Sequence, residues 1–326
     1  MALGTTQQSA DTGFDFRPAE VPTFYFIGVT TGKSSINRVF PAWMKHLGVE
    51  NCSLRGIDCK QHDDPAVYRK VVDFIKHDEK SLGGLVTTHK IDLLKATRDL
   101  FDTLDHYADL MGEISCIAKK NGRLFGAAKD PISSGLALEA FIPKGYWHGG
   151  AEVLSLGAGG SSIALTSYLM EKCAPDNRPS RIVVTNRSAG RLEEMKHIHA
   201  QINPGIPVEY YHCPTPDMND AVMATMKPGS LVANATGLGK DGPGSPLTAA
   251  GLFPQDGYAW DFNYRGDLVF LDQARAQRQS RNLTIEDGWI YFIHGWTQVI
   301  AEVFDIEIPT SGPDFDELSR IAAEVR

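Results

Sequence analysis

At 326 residues the chain is about twice the length that one hydrophobic core usually serves, so two domains are expected. With 42% hydrophobic and 22% charged residues it reads as a folded chain, which excludes wholesale disorder. The 32 Lys and Arg against 40 Asp and Glu leave a net charge of −8 with no basic run to offset it, and no apolar stretch approaches the roughly 20 residues of a spanning helix, so neither nucleic acid nor a membrane is an expected partner.

Residues 1–22 carry neither a basic start nor an apolar segment and read as a flexible tail, not a secretory signal. From Thr23 the text alternates: strand TFYFIGV (23–29), amphipathic helix NRVFPAWMKHLG, strand SLRGIDC (53–59), helix AVYRKVVDFIKHDEK, strand GGLVTT (83–88). A helical region near 91–111 follows, then a hairpin, ISCIAKKNGRLFGAA, turning at Asn121-Gly122. PISSGLALEAFI (131–142) is a helix with Asp130 at its N-cap and Pro131 at its first position, and PKGYWHGG is a junction.

A second series begins at Ala151: strand EVLSL, a glycine turn, helix SSIALTSYLMEKC, strand RIVVT, helix AGRLEEMKHIHAQ, strand VEYYH, helix NDAVMATM, strand SLVANAT, strand YAWDFN. Helical segments at 288–304 and 314–326 close the chain. The expected organisation is α/β throughout: an N-terminal substrate-binding α/β domain with a mostly parallel sheet (23–142), a C-terminal Rossmann-type dinucleotide-binding domain (150–286), and C-terminal helices (287–326) packing back toward the first domain.

Five cysteines form an odd set without C-x-x-C spacing, which fits a reduced, cytoplasmic setting. His197 and His199 fall i,i+2 on a helix and point apart, so no metal site is expected. Monomer and homodimer stay open.

The glycine turn carries the first chemistry. Gly157-Ala158-Gly159-Gly160-Ser161-Ser162 lies between a strand and a helix, where Gly157 permits a tight turn and Gly159 lets backbone approach a pyrophosphate at the helix N-terminus. The third position of the G-x-G-x-x-G pattern is Ser162, small enough for close helix packing. After the next strand, where an acid would hold the ribose of NAD, stand Asn186, Arg187 and Ser188, with Arg191 a turn later. Two guanidiniums and a hydroxyl suit a 2′-phosphate, so NADP is favoured over NAD, although surface arginines at a helix start commonly do no more than meet solvent.

Oxidising an alcohol requires a group that takes the hydroxyl proton. Lys90 and Asp130 both stand at element ends, where loops of open α/β sheets converge. On local grounds alone Asp130 is a helix cap and Lys90 a solvated helix-start lysine.

Several separated motifs resemble the shikimate dehydrogenase family, in order, from about residue 23 to 304: IGVTTGKSSINRVF, LVTTHK, GRLFGAAKDPISSG, SLGAGGSS, TNRS, VANATGLG and WDFNY. The resemblance implies an NAD(P)-dependent oxidoreductase that moves a hydride reversibly between nicotinamide and a secondary alcohol of a small polyhydroxylated substrate. It implies Lys90 as the proton acceptor and Asp130 as its assistant. Ser34, Ser35, Thr87 and Ser115 would bind substrate oxygens, and Tyr264 with His294 or Gln298 would close the pocket. The cofactor would rest on Gly157, Ala158, Gly159, Gly160, Ser161, Asn186, Arg187, Ser188, Arg191, Ala235, Thr236 and Gly237. Departures fall in the pocket: Ile36 stands where the second carboxylate-binding serine would be unless Ser34 and Ser35 serve, and the family's V-N-T reads Ile114-Ser115-Cys116. The step from Thr87 to Lys90 is one residue short, N-T-D becomes Ala128-Lys129-Asp130, and His294 takes the place of a glutamine. A different cyclic or acyclic polyol as substrate, and a non-catalytic dinucleotide-binding redox sensor, are the competing readings.

Overall fold

The computed structural model describes residues 13–202, 205–240 and 242–325, which fall into two compact units. The first runs to Lys129 and takes in the chain again from Trp296; the second is Asp130–Gly295.

In the first unit, β1 (Thr23–Gly28), α1 (Ile36–His46), β2 (Ser53–Asp58), α2 (Pro65–His77) and β3 (Ser81–Val86) form two βαβ steps of a parallel sheet. Next come α3 (Lys90–Thr97), the short β4 (Thr103–Leu104), α4 (His106–Met111), and the hairpin of β5 (Cys116–Lys120) and β6 (Arg123–Ala127). The expected single helical region near 91–111 is therefore two helices parted by a two-residue strand. The hairpin turns with φ of 53° at Asn121 and 75° at Gly122, the left-handed pair that a tight turn between twisted strands demands. Sheet order is β2-β1-β3-β5-β6-β4, with β5 antiparallel to both neighbours.

Residues 1–12 lie outside the described residues, but part of the expected tail is well placed. Phe14 meets Tyr25 and Phe74, and Phe16 meets Phe74, edge to face at centroid distances of 5.4 to 6.2 Å. The Arg55 guanidinium lies 4.8 Å from the Phe14 centroid, so apolar area and cation–π attraction hold this stretch.

In the second unit, α5 (Asp130–Phe141) leads to β7 (Val153–Leu156), α6 (Gly160–Glu171), β8 (Ile182–Asn186), α7 (Ala189–Gln201), β9 (Val208–His212), α8 (Pro216–Met223), β10 (Leu231–Asn234) and β11 (Tyr258–Asp261). The sequence reading passed over α9 (Val269–Arg281) and β12 (Thr284–Glu286), which follow. All strands are parallel in the order β12-β11-β10-β7-β8-β9, the doubly wound order of dinucleotide-binding folds. Leu154, Leu156, Val183, Val232, Phe253 and Phe270 are buried between sheet and helices.

The unit boundary at Asp130 lies upstream of the junction expected near 143–150 because α5 packs on α6. A Cβ on Gly135 would fall 2.1 Å from the Tyr168 ring, so only glycine admits that ring. Asp130 is the first helical residue of α5, one position inside the expected cap. Two elements end the chain: α10 (Trp289–Phe304), within which the second boundary falls, and α11 (Pro313–Val325). Among the described residues no helix is long and apolar enough to cross a membrane.

Candidate functional site

One edge of the first sheet gathers its candidate residues. Because β1, β2 and β3 are parallel and β5 and β6 alternate, the ends of β1 to β3, the start of β5 and the end of β6 share that edge. Thr87 follows β3; its amide donates to the Ile27 carbonyl at 2.9 Å, and its hydroxyl would lie 2.9 Å from a Cβ on Gly28. Glycine at 28 thus lets Thr87 and the Thr31 methyl approach. Thr31 donates its amide (2.8 Å) and hydroxyl (2.6 Å) to Asp58 at the end of β2, which fixes the loop carrying Ser34 and Ser35. Those serines are half-buried ahead of α1, whereas Ile36 is wholly buried. The Ser34 hydroxyl accepts the Ile36 amide at 3.4 Å.

Lys90 opens α3 and is partly exposed. Its carbonyl accepts the Ile114 amide, and Ser115, one residue on, accepts the Lys129 amide on its hydroxyl at 2.8 Å. Lys90, Thr87 and Ser115 therefore share one edge of the first sheet. The shortened turn is tight, with φ of 31° at Thr88. His89 points inward, buried, with Nδ1 3.2 Å from the Tyr68 hydroxyl, and burial pushes its pKa below the ordinary value.

In the second unit the glycine turn has the geometry its residues require. Gly157 has φ of 108°, and a Cβ there would meet the Ala235 carbonyl oxygen at 3.0 Å. No side chain caps α6, so its first amides stay open, and a Cβ on Gly159 would meet nothing within 4 Å. An uncapped helix N-terminus beneath open space fits a pyrophosphate. Gly160 and Ser161 begin that helix. Ser162 is fully buried, its hydroxyl 2.7 Å from that of Ser155 on β7, so a hydroxyl pair fills the helix–strand contact that glycine or alanine would otherwise make.

The Asn186 side chain accepts the Ala158 amide at 3.1 Å and donates to the Ser188 carbonyl at 2.9 Å, tying the end of β8 to the glycine turn. Arg187 is exposed, and among the described residues its guanidinium makes no ion pair. Arg191 pairs with Glu194 at 2.7 Å. Ala235, Thr236 and Gly237 follow β10; Ala235 donates its amide to Leu156, which brings them beside the glycine turn.

Asp130 is buried and accepts a hydrogen bond from the Tyr291 hydroxyl at 3.4 Å. Tyr264 follows β11 and packs on Phe292 and Trp289 of α10, with centroids at 4.9 and 5.4 Å. His294 on the same helix is buried, which drives its pKa down to about 4 and keeps the imidazole neutral. Gln298 lies on the part of α10 assigned to the first unit. Tyr291, beside Asp130, was missed in the sequence. The signal was there, since Tyr291, His294 and Gln298 fall at i, i+3 and i+7, one stripe of a helix. Among the described residues no cluster of His, Cys, Asp or Glu could hold a metal ion.

No family model matches the chain. It is 31% identical over 183 residues to a shikimate dehydrogenase (NADP(+)) of Streptococcus gordonii, a match covering 54% of this chain and 58% of that relative. Among solved structures it is similar to a quinate dehydrogenase from Corynebacterium glutamicum in complex with NAD, at TM-score 0.73 and 19% identity, covering 93% of this chain and 99% of that one. It is also similar to the ligand-free 5-ketofructose reductase of Gluconobacter sp. strain CHM43, at TM-score 0.69 and 18% identity, covering 94% and 99%.

Proposed function

We propose that the chain is an NAD(P)-dependent oxidoreductase of the shikimate dehydrogenase type, acting on a secondary alcohol of a small, shikimate- or quinate-like substrate; its similarity in sequence and in fold supports this. The observation that carries this reading is the dinucleotide turn: Gly157 in the left-handed region, an uncapped α6 and open space over Gly159. A bound dinucleotide would supply the hydride acceptor or donor through its nicotinamide ring. Gly157 to Ser161 hold its pyrophosphate, while Asn186 keeps the turn in shape. Arg187 and Ser188, with Arg191, receive the adenosine side, and a free, exposed Arg187 supports NADP over NAD. Lys90 takes the hydroxyl proton, and Asp130 assists by accepting a hydrogen bond from the substrate. Ser34, Ser35, Thr87 and Ser115 bind substrate oxygens, and Tyr264 with His294 or Gln298 bounds the pocket. Five free thiols support a reduced, cytoplasmic setting.

Ile36 favours a second reading of the substrate. Buried and apolar where the family's second serine would stand, it offers no hydrogen bond to a carboxylate, which suits a neutral cyclic or acyclic polyol. That a structure of similar fold is named a 5-ketofructose reductase supports this reading.

Both cofactors should be tested against shikimate, quinate, cyclitols and acyclic polyols, following reduced-nicotinamide absorbance. One pair is expected to turn over, and Lys90→Ala should lower kcat roughly 10²- to 10⁴-fold with cofactor affinity kept. Full turnover in that variant removes Lys90 from its role. Tight dinucleotide binding with no turnover on any alcohol would instead mark a redox-sensing binder.

A further inference from the structure

A buried carboxylate ends β11. Asp261 is wholly inaccessible, and among the described residues no cation pairs with it. Its oxygens accept the Asn263 backbone amide at 2.9 Å and the Asn234 side-chain amide at 3.1 Å. Burial raises its pKa to about 6 against those donors, with Asp287 pushing the same way. Holding two strands together does not require this, because β10 and β11 are already in register through backbone bonds. The hydrogen bonds run instead to loops beyond the strand ends. With its amide committed to Asp261, Asn234 turns its carbonyl oxygen toward Thr236, accepting the amide at 3.1 Å and the hydroxyl at 2.6 Å. Asn263, set by Asp261, donates to the carbonyls of Thr236 and Leu238, both at 3.2 Å.

We propose that Asp261 is a positioning residue that orients Asn234 and thereby sets the loops 235–238 and 262–264 against the nicotinamide half of the cofactor. The strand order places the adenosine half over β7 and β8, where Asn186 and Arg187 lie, and so leaves the other half to β10 and β11. The inference rests on the cofactor reading above.

Asp261→Asn sets amide against amide. Asn234 relieves this only by flipping, which takes its oxygen away from Thr236. Asn234→Asp sets two carboxylates face to face. The reciprocal exchange of both residues restores a donor opposite an acceptor, with Thr236 again served. Binding of NADPH and of 2′,5′-ADP, which carries only the adenosine half, is measured by fluorescence and calorimetry on the full chain; NADH and ADP are the probes should the 2′-phosphate not be recognised.

Each single variant should bind NADPH at least about tenfold more weakly, as displaced hydrogen bonds require, and hold 2′,5′-ADP within about twofold. The exchange should recover most of the loss. Wild-type NADPH affinity in the single variants, equal loss of both ligands, or no recovery in a folded exchange variant overturns the role of Asp261. A wild-type chain that binds neither probe brings down the cofactor reading itself, and this inference with it.

Discussion

Gly157→Ala probes the glycine turn most directly. At φ of 108° an L side chain is strained by about 1–3 kcal/mol. The new methyl would lie 3.0 Å from the Ala235 oxygen, 3.1 Å from its carbonyl carbon and 3.2 Å from the Thr236 methyl. The first two are backbone, pinned by the Ala235 amide on Leu156 at 2.9 Å, so overpacking adds about 1 kcal/mol or more. A loss of about 3 kcal/mol corresponds to a fall in Tm of about 6–12 °C for a unit of this size. Circular dichroism melting of the full chain measures it. Gly159→Ala is the matched control: with φ of −89° and nothing within 4 Å, its methyl should leave Tm unchanged yet weaken NADPH binding at least about tenfold by filling the cofactor's space. A Gly157→Ala variant that melts like the parent, or a Gly159→Ala variant that binds like it, would refute the reasoning.

Arg187→Ala should cost NADPH affinity roughly ten- to a hundredfold and leave NADH affinity nearly alone, whereas Arg191→Ala should cost less because Glu194 already holds that guanidinium; equal effects on both cofactors would exclude 2′-phosphate recognition. His199 concerns pH. It is buried between the Thr166 hydroxyl (2.8 Å) and the Tyr210 hydroxyl (2.6 Å), and burial lowers its pKa to about 4. The unfolded chain takes up a proton as pH falls below about 6.5, but the fold does not until about 4, so this stability is complete above 6.5 and drains away between the two values. The loss is about 2 kcal/mol at pH 5, and urea midpoints at pH 7 and pH 5 should converge in His199→Gln relative to the parent.

What could be read from the chain in advance was what local spacing encodes. The glycine turn, the Asn121-Gly122 hairpin and the alternation of strands and helices depend on residues a few positions apart. Helix α9 escaped because its buried face is only Phe270, Leu271 and Ala274 in an otherwise polar run. The placement of α5 depends on Gly135 meeting Tyr168, far along the chain, and no local pattern announces such a contact. The same holds for Asp261 and Asn234, which are 27 residues apart and meet only because β10 and β11 are neighbours. Phe14 and Phe16 looked like tail because their partners, Tyr25 and Phe74, belong to separate elements.

The hydroxyl pair of Ser155 and Ser162 ties the histories of two positions together. Each satisfies the other in a place water does not reach. Replacing one by alanine strands the other's dipole in a dry contact, at a cost of about 1–3 kcal/mol, whereas replacing both by small apolar residues is close to neutral. Descent from a glycine- or alanine-bearing ancestor, or return to one, must cross that destabilised intermediate, so the two sites should be inherited as a couple.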